Sequence, residues 1–384
     1  MNNTIRLLKN ELKRFFQNDV LVAIFFGAPL VYGILFGFVY KQAKVINLPV
    51  AVVDEDHSTV SEQLIEAINE NENLAVKKIY FDSHNLQQEQ LKNDFVAVIH
   101  IPESFQSDLF MKRYPEVLVE LNMSNILNAN FASKSIQKVL GTIKAGIEIK
   151  SLKMKGLSDK IARNNFESFK ITYHKLYNPN SNYLYFMLPA LLGAIMQQVI
   201  FLAMALVFSR DFEDGYWNEL LKYSKNPFYL IFIKFLPYFV LSGIVWTVIG
   251  LIYNYFEIDF NVLSWAMFWV IILFTLAAMF IGMLFSILIP SQLKSTEFLM
   301  VISTPAFILS GFTWPLSAMP NWITQISNLI PLTHFLTAFK KIAMYGGTLG
   351  DVSFQIYHLT FLAFISFLIM LMSLKYKIVK NSKK

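Results

Sequence analysis

Residues 20–40 read VLVAIFFGAPLVYGILFGFVY, and no acidic or basic side chain interrupts them. A helix needs roughly 20 mostly apolar residues to cross the ~30 Å hydrocarbon core of a bilayer. At that depth every backbone polar group must be satisfied internally, which favours a helix. No small-residue cleavage site follows the run, so it reads as a retained anchor and not as a signal peptide. Outward from it, residues 41–183 are polar, and apolar runs return after Tyr183 and dominate to the end. The expected fold is an α-helical integral membrane protein. It has six transmembrane helices, an inserted α/β extracytoplasmic domain and an N-terminal interfacial amphipathic helix.

Composition agrees. Hydrophobic residues make up 55% and charged residues 16%, with 36 Phe, outside the usual soluble range. The 33 Lys and Arg against 27 Asp and Glu leave +6, but many of the bases sit beside apolar runs. That is the placement of topology signals and argues against nucleic acid as a partner. Cysteine is absent, which excludes disulfides, zinc-thiolate sites and thiol chemistry.

The six expected spans are 20–40, 184–208, 235–256, 262–289, 298–314 and 354–374. If they alternate, one side collects Arg6, Lys9, Lys13 and Arg14, then Arg210, Lys222, Lys225 and Lys234. Lys294 and the 375–384 tail, with Lys375, Lys377, Lys380, Lys383 and Lys384, fall on the same side. The short loop Glu257-Ile258-Asp259 opposite is acidic, and Lys340 and Lys341 are the mild exception. The positive-inside rule then places both termini in the cytoplasm and 41–183 outside. Within 1–18, Ile5, Leu8, Leu12, Phe15 and Phe16 recur at helical spacing among basic residues, the pattern of a helix lying on the inner leaflet.

The insert reads as strands alternating with helices, a small sheet with helices packed on it. Strand candidates are 48–53, 75–81, 95–101 and 116–121. Thr59-Val-Ser-Glu62 matches a capping box before a helix, and a long helical pattern runs over 129–175. Asp54, Glu55 and Asp56 are the densest acidic group there, and their place between strand and capped helix suits turn geometry better than cation binding.

Catalytic chemistry is not written in the chain. The six histidines lack HxxxH or HExxH spacing, no G-x-S-x-G occurs, and no G-x-x-x-x-G-K-[ST] is present. If ATP drives this protein, another polypeptide binds it. Inside the spans, Gln197, Gln198, Thr247 and Thr275 either bond across helices or line a path. Lys234 is read as close enough to its helix end to snorkel. The absence of midplane carboxylates disfavours an ion-coupled carrier. Gly33 and Gly37 form a GxxxG pair that permits close helix contact, and Pro29, Pro189, Pro237 and Pro305 are expected to kink or locally unwind their helices.

The 209–226 loop is the most telling segment. Phe212, Tyr216, Trp217, Leu220 and Leu221 interleave with charges there, which suits a short helix inserting into a partner's groove or a helix lying on the leaflet. Phe208–Leu220 also follows in register the pattern FSR-E-x-E-x-G-T-x-E-x-L. Phe208, Ser209, Arg210, Glu213, Gly215 and Leu220 match it, Asp211 is a conservative change, and Tyr216 and Asn218 depart. Further on stand SGFTWPLSAMPNW and IPLTHFLTAFKKI, within 310–342, and the insert opens LPVAVVDEDHST and later reads AVIHIPESF.

Together these make the chain resemble the permease subunit of the type-2 class of ATP-binding-cassette exporters, in the subgroup with a large domain after the first span. The resemblance covers essentially the whole chain. It implies that Arg210, Asp211, Phe212, Glu213, Gly215, Trp217, Glu219 and Leu220 belong to a coupling helix that docks on a nucleotide-binding ATPase subunit. It implies that 315–353, with Trp314, Pro315, Pro320, Trp322, Pro331 and His334, forms short helices dipping into the outer leaflet. His334 stands where Tyr is expected. ATP and Mg would sit on the partner, so this chain would bind no cofactor and would not itself be an enzyme. Two permeases, as copies or paralogues, would pair with two ATPases among membrane lipids. A periplasmic adaptor and the identity of the exported substrate stay open. The competing reading is a membrane-anchored receptor or scaffold acting through the external domain.

Overall fold

The computed structural model describes residues 2–42, 44–82, 94–166, 174, 176–258 and 264–382. Asp259, Val262, His84, Lys383, Lys384 and part of the 129–175 helical pattern lie outside the described residues. The chain divides into two compact units, Met1–Ala43 with Lys175–Lys384, and Lys44–His174.

The second unit begins with β1 (Leu48–Asp54), α3 (Thr59–Asn69) and β2 (Leu74–Tyr80); α1 and α2 belong to the first unit. It continues with β3 (Ala97–Ile101), α4 (Phe105–Phe110), β4 (Leu118–Leu121), α5 (Ile126–Met154) and α6 (Asp159–Phe166). The sheet order is β2-β1-β3-β4, with β1 parallel to both neighbours and β4 antiparallel to β3. Strand β1 is buried on both faces, which is why it is continuously apolar instead of alternating. Val50 and Val52 pack with Leu64, Ile68 and Ile136 on one side, while Ala51 and Val53 pack with Phe95 and Val98 on the other.

Asp54 closes the following turn. Its carboxylate accepts from the backbone N–H of Asp56 and of His57, both at 3.2 Å, and from Ser61 Oγ at 2.8 Å. The capping box sits one residue earlier than its expected place: Ser58 caps α3 and exchanges reciprocal bonds with Ser61. Thr59 is free for another bond and donates to Gln106 Oε1 at 3.0 Å. The long helical pattern is broken between α5 and α6, where Gly156 takes φ +87°, a left-handed conformation that ends a helix without a Cβ penalty.

The first unit is helical. It contains α1 (Asn2–Phe16), α2 (Asp19–Val39), α7 (Tyr183–Glu213), α8 (Tyr216–Tyr223), α9 (Pro227–Tyr255), α10 (Trp265–Leu288) and α11 (Gln292–Leu309). Then follow a 3₁₀ turn at Leu316–Ala318, α12 (Asn321–Ser327), α13 (Pro331–Phe339) and α14 (Ser353–Ser382). Among the described residues five helices are long and apolar enough to cross a membrane: α2, α7, α9, α10 and the one containing α14. In the apolar windows of α7 and α10, 67% and 61% of residues are buried, against 28% for α2 and α14, so α7 and α10 form the centre.

Several expected boundaries shift. The span expected at 298–314 falls on α11, which begins with polar turns containing Lys294 and Glu297 and ends at Leu309. Helix α9 starts at Pro227, well before the expected 235, because Asn226 accepts from Phe228 N at 3.0 Å and Pro227 suits the first helical position. That early start carries Lys234 two turns into the helix. All four span prolines sit inside helices assigned without a break, so no local unwinding occurs at them. Gly33 and Gly37 do bring α2 against α9. A Cβ on Gly37 would lie 2.0 Å from the Phe256 ring, and one on Gly33 would lie 2.7 Å from Ile252. The close approach is within the chain, and a larger side chain at either position obliges Ile252 or the Phe256 ring to move.

Candidate functional site

Glu11 starts the site. Leu7, Glu11 and Phe15 are spaced by four, so one face of α1 carries all three, and all three are buried. A buried carboxylate needs a cation and hydrogen bonds. The Lys234 ammonium supplies the first at 2.6 Å, and Tyr238 donates its hydroxyl to the other oxygen at 3.4 Å. Lys234 also lies 2.5 Å from Asp211 Oδ2, and its side chain is 1% exposed. It therefore does not snorkel: two carboxylates hold it inside. Arg14 reaches Asp211 at 3.2 Å and Asp214 at 3.0 Å, while Arg210 lies 3.6 Å from Glu11 and donates to the Arg14 carbonyl at 3.0 Å. Three cations meet three carboxylates, and the cluster joins α1, the end of α7 and the start of α9.

Helix α7 runs on past the apolar residues to Glu213, and Gly215 turns the chain at φ +73° into α8. Only a residue without a Cβ takes that conformation readily. Trp217 and Leu220 then face into this chain and are buried, with Trp217 edge-on to Phe212 at 5.2 Å. The apolar side chains expected to insert into a partner are thus spent inside, and Phe212 and Tyr216 are half-buried. Asn218, Glu219, Lys222 and Tyr223 form the exposed face. An open cleft of about 720 Å³ borders it, lined in part by Arg14, Arg210, Asp214 and Glu219.

Side-chain bonds tie α8 and its flanks to distant helices. Glu213 accepts from Gln292 N at 2.9 Å and from its Nε2 at 2.6 Å, which fixes the end of α7 to the start of α11. Asn381 at the end of α14 donates to Asn218 at 2.8 Å. The Arg14 guanidinium lies over the Tyr216 ring at 4.3 Å.

The other expected residues separate. Gln197 is buried and accepts from Leu332 N at 2.9 Å, capping α13, while its Nε2 finds no hydrogen-bond partner among the described residues. Thr275 is buried and accepts from Trp246 Nε1 at 3.0 Å. Thr247 is exposed and donates to its own helix at Gly243, and Gln198 is half-buried. Trp314 and Trp322 are exposed at the segment of short helices, with Pro315 and Pro320 preceding the 3₁₀ turn and α12. Pro331 opens α13, and His334 is buried with its Nε2 2.9 Å from the Asn328 carbonyl and its ring stacked on His358. Among the described residues no group of three or more His, Asp or Glu is placed to hold a metal.

Glu11 and Tyr238 had no expected role in the sequence, and Arg14 was expected only as a topology signal. One signal was available: Glu11 is the lone acid of α1, on the line joining Leu7 to Phe15, and Lys234 is the lone charge within Tyr229–Phe239. Lys9, Lys13 and Arg14 flank Glu11 and are its nearer candidate partners in the sequence, so the pattern alone does not pair it with Lys234.

Compared with known proteins, residues 20–375 match the family described as ABC-2 family transporter protein. The "Probable multidrug ABC transporter permease YbhR" of Escherichia coli is 22% identical over 347 residues, 90% of this chain and 91% of that one. The "Inner membrane transport permease YhhJ" of Escherichia coli is 25% identical over 334 residues, 82% of this chain and 83% of that one. The "ABC transporter G family member 20" of Dictyostelium discoideum is 27% identical over 196 residues, half of this chain and 26% of that one.

Proposed function

Because the chain belongs to the ABC-2 transporter family, we propose how it works as the permease subunit of an ABC exporter. Its energy comes from ATP bound and hydrolysed on a separate nucleotide-binding subunit, and the exposed face of α8 is where that subunit docks. The carrying observation is the anchoring of α8: its apolar face is buried, and ion pairs and hydrogen bonds beside it reach α1, α11 and α14. A force applied to α8 is thereby delivered to the bundle. ATP closes the partner pair, the docked helices move, and two permease halves shift relative to one another. The partner copy, identical or paralogous, is related by a two-fold axis, the commonest symmetry of such assemblies. The name of YbhR includes "multidrug", and with the apolar bundle it supports an amphipathic or hydrophobic cargo. Coexpression with an ATPase carrying a Walker motif tests this. The complex is expected to co-purify and to show substrate-stimulated hydrolysis in lipid; no retained ATPase and no transport would refute the reading.

The topology follows from the same end of the bundle. The contacts that join Arg14 of α1, α8 and Asn381 of α14 there support a reading in which both ends lie at one side and the number of crossings is even. With five long spans, α11 and the turn after it make the sixth, short crossing. Basic α1 lies on the inner leaflet, 44–174 lies outside, and the segment from Trp314 to α13 dips into the outer leaflet. Native cysteine is absent, so Lys77→Cys and Lys225→Cys, both exposed, report sidedness cleanly. The first is expected to react with a membrane-impermeant maleimide in intact cells and the second only after lysis. The opposite pattern overturns the orientation.

A further inference from the structure

We propose that the groove between α8 and the last turns of α14 binds the headgroup of an anionic phospholipid. The groove holds about 680 Å³, and its walls include Phe212, Trp217, Leu288 and Met372. Lys377 and Lys380, one turn apart on α14, complete it, and among the described residues no acidic side chain lines it. Neither lysine has a carboxylate within ion-pair distance among the described residues; Lys377 instead lies 3.9 Å from the centre of the Phe212 ring. The dipole of α14 accounts for bases in its last turn. It does not account for an apolar groove closing on them.

Position chooses the occupant. The apolar run of α14 ends at Leu374, so the two lysines stand just beyond the hydrocarbon, at headgroup level. Beside them Met372 is 63% exposed and Tyr376 is 68% exposed, an apolar side chain followed by an aromatic of the kind found at membrane interfaces. Acyl chains can lie along that exposed surface while a phosphate meets Lys377 and Lys380. Basic pockets between spanning helices recruit anionic lipids by this combination of charge and apolar contact. An acidic protein loop would satisfy the charges but not the lipid-facing side of the groove. A lipid seated here bridges α8 and α14, in parallel with the Asn381–Asn218 bond.

The test uses the full-length chain in mild detergent, without any ATPase, so its outcome is independent of the coupling assignment. Dioleoyl phosphatidylglycerol, dioleoyl phosphatidylcholine and inorganic phosphate are titrated, and bound lipid is counted by native mass spectrometry. Phosphatidylglycerol is expected to be retained about tenfold better than phosphatidylcholine, and millimolar phosphate is not expected to displace it. Lys377→Gln with Lys380→Gln is expected to lose about tenfold in phosphatidylglycerol retention, while the matching Arg pair keeps it. Lys150→Gln with Lys160→Gln, the same charge change in the other unit, is expected to have no effect. Equal retention of the two lipids, an unaffected Gln pair, or full displacement by phosphate overturns the proposal.

Discussion

Lys234→Met is expected to destabilise the bundle by about 3–5 kcal/mol, the usual loss when one member of a buried charge cluster is removed. The lysine is 2.6 Å from Glu11 and 2.5 Å from Asp211, and all three side chains are at most 2% exposed. Without it, three carboxylates (Glu11, Asp211 and Asp214) share Arg14 and Arg210, and the cluster carries one uncompensated negative charge beside the buried Glu11 and Asp211, where water cannot screen it. The apolar replacement has similar length, so the loss is electrostatic and not a cavity. Adding Glu11→Gln restores neutrality and is expected to recover a large part of the loss. Thermal unfolding of the four proteins of the cycle, in one detergent, measures the coupling. A single variant as stable as wild type, or additive effects in the pair, would sink the assignment of this cluster as the lock between α1, α7 and α9.

Glu219→Arg is expected to abolish transport while leaving the chain folded and inserted. Glu219 is exposed on α8 and borders the cleft beside Arg14 and Asp214. Reversing a charge in a desolvated contact typically costs about 2–4 kcal/mol of binding, which is ~30- to 1,000-fold in affinity. ATPase co-purification should fall accordingly, with the unfolding temperature unchanged. Trp217→Ala serves as the contrast. Its indole is buried in this chain, so that variant is expected to lower unfolding temperature first and ATPase binding only as a consequence. If Glu219→Arg keeps full complex yield and transport, the exposed face of α8 is not the docking surface.

The α8 segment shows where sequence reading turns on itself. Its amphipathic pattern was visible, as was the glycine that starts it. What the pattern could not say is which face meets a partner. Trp217 and Leu220 carry the large apolar surface and were natural anchors for a partner's groove, yet Phe208 and Phe212 on α7 take up that surface instead. Glu213 looked like a contact for another protein, and it is spent on Gln292, at the start of α11.

The membrane helices were legible because lipid imposes a local demand: an uninterrupted apolar run whose backbone bonds close on themselves. Val20–Tyr40 meets it with no reference to the rest of the chain, and so do the runs within α7, α9, α10 and α14. The strand-rich opening of the insert was legible for a similar reason, since β1 is buried on both sides and reads as continuously apolar. The ends of elements were less so. Asn226 and Pro227 started α9 early, and Ser58 displaced the expected cap, because several residue types in a row were able to serve and packing selected one.

Charge pairing was decided by the tertiary structure alone. Glu11 and Lys234 are 223 residues apart, and each has a bland local reading, one as part of an interfacial helix and the other as a snorkelling base. Burial is a property of position in the assembled bundle and not of the residue, and electrostatic energy rises steeply only once water has been excluded. The sequence by itself therefore determined which segments enter the membrane. Which charges become locked together at its edge was settled only when α1, α7 and α9 packed.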